Sequence, residues 1–162
     1  MNRCIFLLGS NLGDKEKNIS DAISEISQQV GIISAKSHYY ESGAWGFESS
    51  QSFYNLALIS ETILDADKTL ETALMIEKIA GRIRTKKYYT DRIIDIDILF
   101  FNYQIIYKTH LIVPHPLLIE RKFALSPLCE ICPDFVHPVF NKTIQELLHL
   151  CKDQTVVKKL TP

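Results

Sequence analysis

No stretch of this sequence approaches the roughly 20 consecutive apolar residues needed to span a bilayer, and the early run Cys4-Ile5-Phe6-Leu7-Leu8 is too short for a secretory signal. Cysteine is scarce. Cys4, Cys129, Cys132 and Cys151 are too sparse for the disulfide framework of small secreted domains, and Cys129-Glu130-Ile131-Cys132 lacks the second pair that a structural zinc site needs. Net charge is nearly absent as well: 18 Lys+Arg against 19 Asp+Glu leave −1, which gives no overall attraction to nucleic acid or to a membrane surface. Repeats, low-complexity tracts and linkers are also lacking. These absences predict a soluble cytoplasmic protein with no nucleic-acid or membrane partner, in which any anionic ligand is held by a local basic cluster.

What is present is a chain of 162 residues, 46% hydrophobic, enough for one substantial core and read as one domain, 1–162. Cys4 to Leu8 reads as a strand, Gly9 to Asp14 as a tight turn, and Lys15 to Val30 as a helix with Ile19, Ile23, Ile26 and Val30 at helical spacing. Ile32 to Ser42 and Phe53 to Leu64 are rich in β-branched and aromatic residues, so they read as a hairpin around a long loop, residues 43–52. A second helix runs from an N-cap at Asp65 or Asp67 through Ala80, with Gly81 ending it. Arg92 to Phe101 is a continuous apolar strand interrupted only by Asp95 and Asp97. The order β-α-β-β-α-β predicts an α+β, ferredoxin-like βαββαβ core, a mainly antiparallel sheet with helices on one face, followed by a C-terminal extension. That extension is expected to add strands near Ile105 and helices near Leu117 to Leu125 and Thr143 to Cys151. The polar tail from Lys152 is expected to fray.

The most informative anomaly is Asp95-Ile96-Asp97. Residues two apart on a strand share a face, so two like charges about 6 to 7 Å apart enter a low-dielectric site and require compensation. Two readings stand at this point: the carboxylates hold hard divalent cations with open positions for phosphate oxygens, or each pairs with an arginine. The basic segment before them, with Arg82, Arg84, Lys86, Lys87 and Arg92 beside Tyr88 and Tyr89, suits the phosphates of a nucleotide and a planar ring. His115 is braced between Pro114 and Pro116, with Arg121 and Phe123 following.

Five motifs recur in order: Leu8-Gly9-Ser10-Asn11-Leu12-Gly13, Phe53-Tyr54-Asn55, Glu77 with Gly81-Arg82, Arg92 to Ile98, and Val113-Pro114-His115-Pro116 leading into Arg121 to Leu128. In these the chain resembles the 6-hydroxymethyl-7,8-dihydropterin pyrophosphokinase family over essentially its whole length. The resemblance implies transfer of the pyrophosphoryl group of ATP to 6-hydroxymethyl-7,8-dihydropterin in folate biosynthesis, with AMP released. By the same resemblance, two Mg²⁺ ions would sit at Asp95 and Asp97, and Arg82, Arg92, Asp95 and Asp97 would be catalytic. ATP would be contacted by Arg82, Arg84, Arg92, His115 and Arg121, with Glu77 near the ribose. The pterin would lie against Ser42, Gly43, Ala44, Trp45, Phe53 and Asp95, hydrogen-bonded by Asn55 and stacked between Phe123 and Tyr89. Residues 43–52 and 84–91 would act as lids. The chain departs from the family pattern at Thr90-Asp91, where a Gly-Pro or Ala-Pro pair is common, and at Tyr89, where many relatives carry tryptophan.

Two other classes share the ferredoxin-like fold. A palm-like nucleotidyl transferase or nuclease would also place two strand aspartates around Mg²⁺, but would release pyrophosphate instead of AMP and would want an extended basic surface. A ligand-sensing module would pair Asp95 and Asp97 with arginines only. A small-molecule monomer is the expectation.

Overall fold

The computed structural model describes residues 1–83 and 89–161. Strand β1, Asn2–Ser10, pairs antiparallel on one side with β4, Phe53–Thr62, and on the other with β5, Asp95–Phe101. Beyond β4 the sheet divides: β2, Gly31–Lys36, pairs with its C-terminal half, and β3, Tyr40–Ser42, with its first three residues. The strand expected over 32–42 is thus two strands, broken at Ser37, whose hydroxyl accepts from Ala57 N at 3.0 Å and donates to His38 O.

Helices α1, Lys15–Gln29, and α2, Ala66–Ile79, supply Ile19, Ile26, Ala73 and Ile76 to a core shared with Phe6, Leu8, Leu56, Leu58 and Ile98. Asp14 and Asp65 cap them, each accepting a backbone N–H three residues on. These two core helices lie on one face, as the ferredoxin-like order predicts, and the C-terminal extension supplies a second layer. Helix α3, Lys122–Ile131, and α4, Ile144–Leu150, cover the opposite face and bury Ile5, Leu7, Ala57, Ile59 and Phe100 under Leu125, Leu128, Ile144 and Leu147. A βαββαβ sheet leaves one face bare, and the apolar residues alternating onto that face need a cover of their own; the C-terminal third provides it.

Between β5 and α3 lie a two-stranded ribbon, β6, Ile106–Tyr107, with β7, Ile112–Val113, and a 3₁₀ turn at Leu118–Glu120. The tail does not fray: β8, Val157–Lys159, pairs with β3 and extends the sheet, and Leu160 N donates to Tyr39 O. Among the described residues, no helix is long and apolar enough to cross a membrane.

Candidate active site

Leu7 and Gly9 on β1 lie opposite Asp97 and Asp95 on β5, and Gly9 also lies opposite Asn55 on β4, so these side chains point to the α3 side at one end of the sheet. β5 begins at Asp95, three residues later than expected, because Arg92 is tied to the turn after β1: Asn11 N donates to Arg92 O at 3.1 Å and Asn11 Oδ1 accepts from Arg92 N at 2.7 Å.

Above this platform lies a narrow cavity of about 50 Å³. Its floor is Gly9, Phe53 and Asn55, its polar end Arg92, Asp95 and Asp97, and its walls Trp45, Tyr89, Arg121 and Phe123. Ser42 and Gly43 complete the edge, and Asn55 Nδ2 donates to Ser42 Oγ at 2.9 Å. The expected substrate residues therefore converge, with the exception of Ala44, which is half-buried but does not line the cavity. Leu7, Gly9 and Phe47 line it without having been singled out. The signal for Gly9 lay in the first motif: a Cβ there would touch Asn55 Oδ1 at 3.4 Å and take up part of the floor.

Asp95 is compensated by arginine. Arg92 Nη1 lies 2.6 Å from its Oδ2, and Arg82 Nη1 pairs with its Oδ1. Arg82 is itself held by Glu77 at 2.5 Å. Glu77 is 1% exposed and also accepts from Ile96 N at 2.8 Å, so its carboxylate faces inward as a brace between α2 and β5. Glu77, expected near a ribose, thus turns its carboxylate to Arg82 and the backbone of β5.

Asp97 is treated differently. Among the described residues, the nearest basic atoms, the neutral His115 Nε2 and Arg121 Nη1, both stand off at 3.9 Å. Burial and the Asp95 carboxylate push the Asp97 carboxyl well above the usual carboxylate range. Asp97 also borders a second, open cleft of about 660 Å³ lined by Leu70, Leu74, Ile98, Leu111 and His115. His115 is positioned by a backbone bond from its N to Leu99 O at 3.0 Å, at a bulge in β5. Its Nδ1 accepts from Leu117 N, which leaves Nε2 as the donor. Burial and the Arg121 charge lower this imidazole to about 4, so it is neutral near pH 7.

Arg121, 9% exposed, lies with its guanidinium 4.8 Å from the Trp45 ring and 5.7 Å from the Phe123 ring. Among the described residues, its buried Nε has no hydrogen-bond partner. Arg84 lies outside the described residues.

Sequence comparison agrees with this geometry. A family profile described as 7,8-dihydro-6-hydroxymethylpterin-pyrophosphokinase matches residues 5–133. The 2-amino-4-hydroxy-6-hydroxymethyldihydropteridine pyrophosphokinase of Aquifex aeolicus is 40% identical over 139 residues, covering 86% of this chain and 86% of that protein. The folic acid synthesis protein FOL1 of Dictyostelium discoideum is 38% identical over 90% of this chain, which spans only 22% of that protein's length. In fold, the chain is similar to a crystal structure of Plasmodium falciparum HPPK-DHPS with pteroate, with a TM-score of 0.75 and 17% identity over 92% of this chain and 44% of that one. The chain belongs to the 7,8-dihydro-6-hydroxymethylpterin-pyrophosphokinase family.

Proposed function

We propose that this chain transfers the pyrophosphoryl group of ATP to the hydroxymethyl oxygen of 6-hydroxymethyl-7,8-dihydropterin, releasing AMP. The observation that carries the reading is the position of Asp97, which borders both the aromatic slot and the open cleft. A two-substrate transfer needs such a junction, where the acceptor oxygen and the β-phosphorus meet.

The slot suits a flat ring with polar edges: Phe123 and Tyr89 offer aromatic faces, and Asn55 and the Ser42 edge offer hydrogen bonds. Its volume is below that of a ligand-bearing pocket, so the ring enters as the loop carrying Trp45 moves. The cleft falls within the usual size range and has apolar walls for a base, with His115 at the end nearest Asp97. Neutral His115 donates through Nε2 to a phosphate oxygen, and Arg82, Arg92 and Arg121 neutralise charge developing on the transferred group. The Nε of Arg121, buried with no partner among the described residues, suits a bound anion.

The donor set fits Mg²⁺. Asp97, whose charged form is disfavoured by burial and by Asp95, would gain from a cation beside it. Among the described residues, no cluster of three or more His, Cys, Asp or Glu closes around it, so water and phosphate oxygens would fill most positions, as a small octahedral cation prefers. Asp95 and Asp97 would hold two ions, whose chemistry is to bridge and polarise the phosphates. A monomeric, cytoplasmic enzyme completes the proposal; its four cysteines are free thiols.

The test is to incubate the protein with ATP, Mg²⁺ and the pterin and to resolve the nucleotides. Pterin-dependent AMP that disappears in Asp97→Ala and Asp95→Ala supports the reading. Release of pyrophosphate would favour nucleotidyl transfer, and absence of turnover by folded wild-type protein would overturn it.

A further inference from the structure

The Thr90-Asp91 pair, where relatives commonly carry a proline before the arginine, has a definite place in this molecule. A single carboxylate oxygen, Asp91 Oδ1, accepts from Asn11 Nδ2 and from Ser49 Oγ, each at 2.6 Å. Asn11 is 1% exposed and anchored at the end of β1, and its Oδ1 accepts from the N–H of Arg92, the next residue. Ser49 belongs to the 43–52 loop, and its hydroxyl is oriented by accepting from Gln51 N at 3.1 Å. A carboxylate on the segment before Arg92 thus joins a fixed point in the sheet to a surface loop. Proline at this position has no side-chain oxygen to accept either bond.

The same two segments meet a second time, at their aromatic ends. Trp45 packs edge-on against Tyr89 with ring centroids 6.0 Å apart, and Gly46, at φ 79°, lies so close beneath Tyr89 that a Cβ would be 3.6 Å from its ring. Trp45 and Gly46 against Tyr89, then Ser49 against Asp91, form a short seam between the loops, apolar at the slot and polar at its outer end.

We propose that Asp91 is a positioning residue that latches the 43–52 loop to Arg92, so that the loop carrying Trp45 and the arginine that pairs with Asp95 take up their working positions together. This rests on the pyrophosphokinase reading of the site. Arg92 needs such a tie because it is held at its head by Asp95 and at its backbone by Asn11, and neither contact reports whether the slot is covered. The Asp91–Ser49 bond supplies that link. It places loop closure and charge neutralisation under one constraint, which is how a lid avoids exposing an activated phosphoryl group to water.

Trp45 is the only tryptophan in the chain, so its emission reports the loop without any catalysis. Five proteins are compared: wild type, Asp91→Ala, Ser49→Ala, the double variant, and Asp91→Asn as the conservative control that keeps an acceptor oxygen. The expected result is red-shifted Trp45 emission with easier acrylamide quenching in both alanine variants, and no further change in the double variant. In turnover, KM for the pterin rises about fivefold, the scale of one lost charge-assisted hydrogen bond, while KM for ATP stays within about twofold. Asp91→Asn restores most of both signals. Unchanged emission, additive effects in the double variant, or equal rises in the two KM values would overturn the latch. A wild-type protein that makes no AMP would remove the pyrophosphokinase reading but leave the latch to be judged on Trp45 emission alone.

Discussion

Two acidic residues of the site illustrate opposite uses of a carboxylate. Glu77 is buried against Arg82 and the backbone of β5, and removing its charge leaves a guanidinium that is mostly shielded from water with one fewer carboxylate beside it. Glu77→Gln keeps an acceptor for Ile96 N yet is expected to cost about 2 kcal/mol in denaturant unfolding and to weaken activity through Arg82. Asp97 lies two residues from Asp95 on the same strand, and among the described residues its nearest guanidinium, that of Arg121, stands 3.9 Å away. Asp97→Asn relieves the repulsion with Asp95 and is expected to raise stability by about 1 kcal/mol while lowering kcat by at least about a hundredfold, the pattern of a group held in place for function. A drop in stability for Asp97→Asn would show that its charge is already satisfied in the fold. The two residues look alike in sequence, since each is an acidic residue near an arginine. Asp97 was legible because a second carboxylate stood two positions away on an apolar strand. The inward turn of Glu77 was not, because one-residue spacing after Ile76 cannot say which way a side chain near a helix end faces.

At the scale of elements, periodicity located both α1 and α2 and narrowed the α2 cap to Asp65 or Asp67, of which the fold uses Asp65, because local signals decide helices of this length. What escaped was long-range. β8 has no apolar alternation of its own; it forms because β3 offers an open edge and because Glu130 on α3 gathers the pieces. Glu130 accepts from Tyr40 OH at 2.8 Å, lies 3.3 Å from Lys159 Nζ, and pairs with His38 Nδ1. Burial alone would raise this carboxyl, but those hydrogen bonds outweigh it and hold it below the usual carboxylate range. Glu130→Ala is therefore expected to release the tail: amide exchange at Val157 and Lys159 speeds up by about tenfold or more, with a global loss on the order of 1 kcal/mol because the groups are partly exposed. Equal protection of β8 in the variant would mean that strand pairing alone holds it. The break at Ser37 and the second helical layer share this cause, since both answer to partners far away in sequence.

For the molecule as a whole, the bare face of the βαββαβ sheet is closed by the C-terminal third, and His137 lies within that closure. It is 2% exposed, packs edge-on to Phe100 at 5.3 Å, and its Nδ1 accepts from Val139 N at 3.2 Å. Burial lowers its imidazole to about 4. In the unfolded chain the same ring binds its proton near pH 6.5. Between those values the unfolded state carries a proton that the folded state refuses, so stability falls as the pH drops from about 6.5 to about 4 and changes no further from this group below that. The loss attributable to His137 is up to about 3 kcal/mol. His137→Asn retains an acceptor for the Val139 N–H without a titrating ring. Its unfolding free energy is expected to lie below that of wild type at pH 7.5, where the smaller side chain packs less well against Phe100, and to converge on it as the solution is taken to pH 4. Parallel curves for the two proteins across that range would show that the ring is charged, or hydrated, inside the folded molecule, and that the second face of the sheet is more open than its packing indicates.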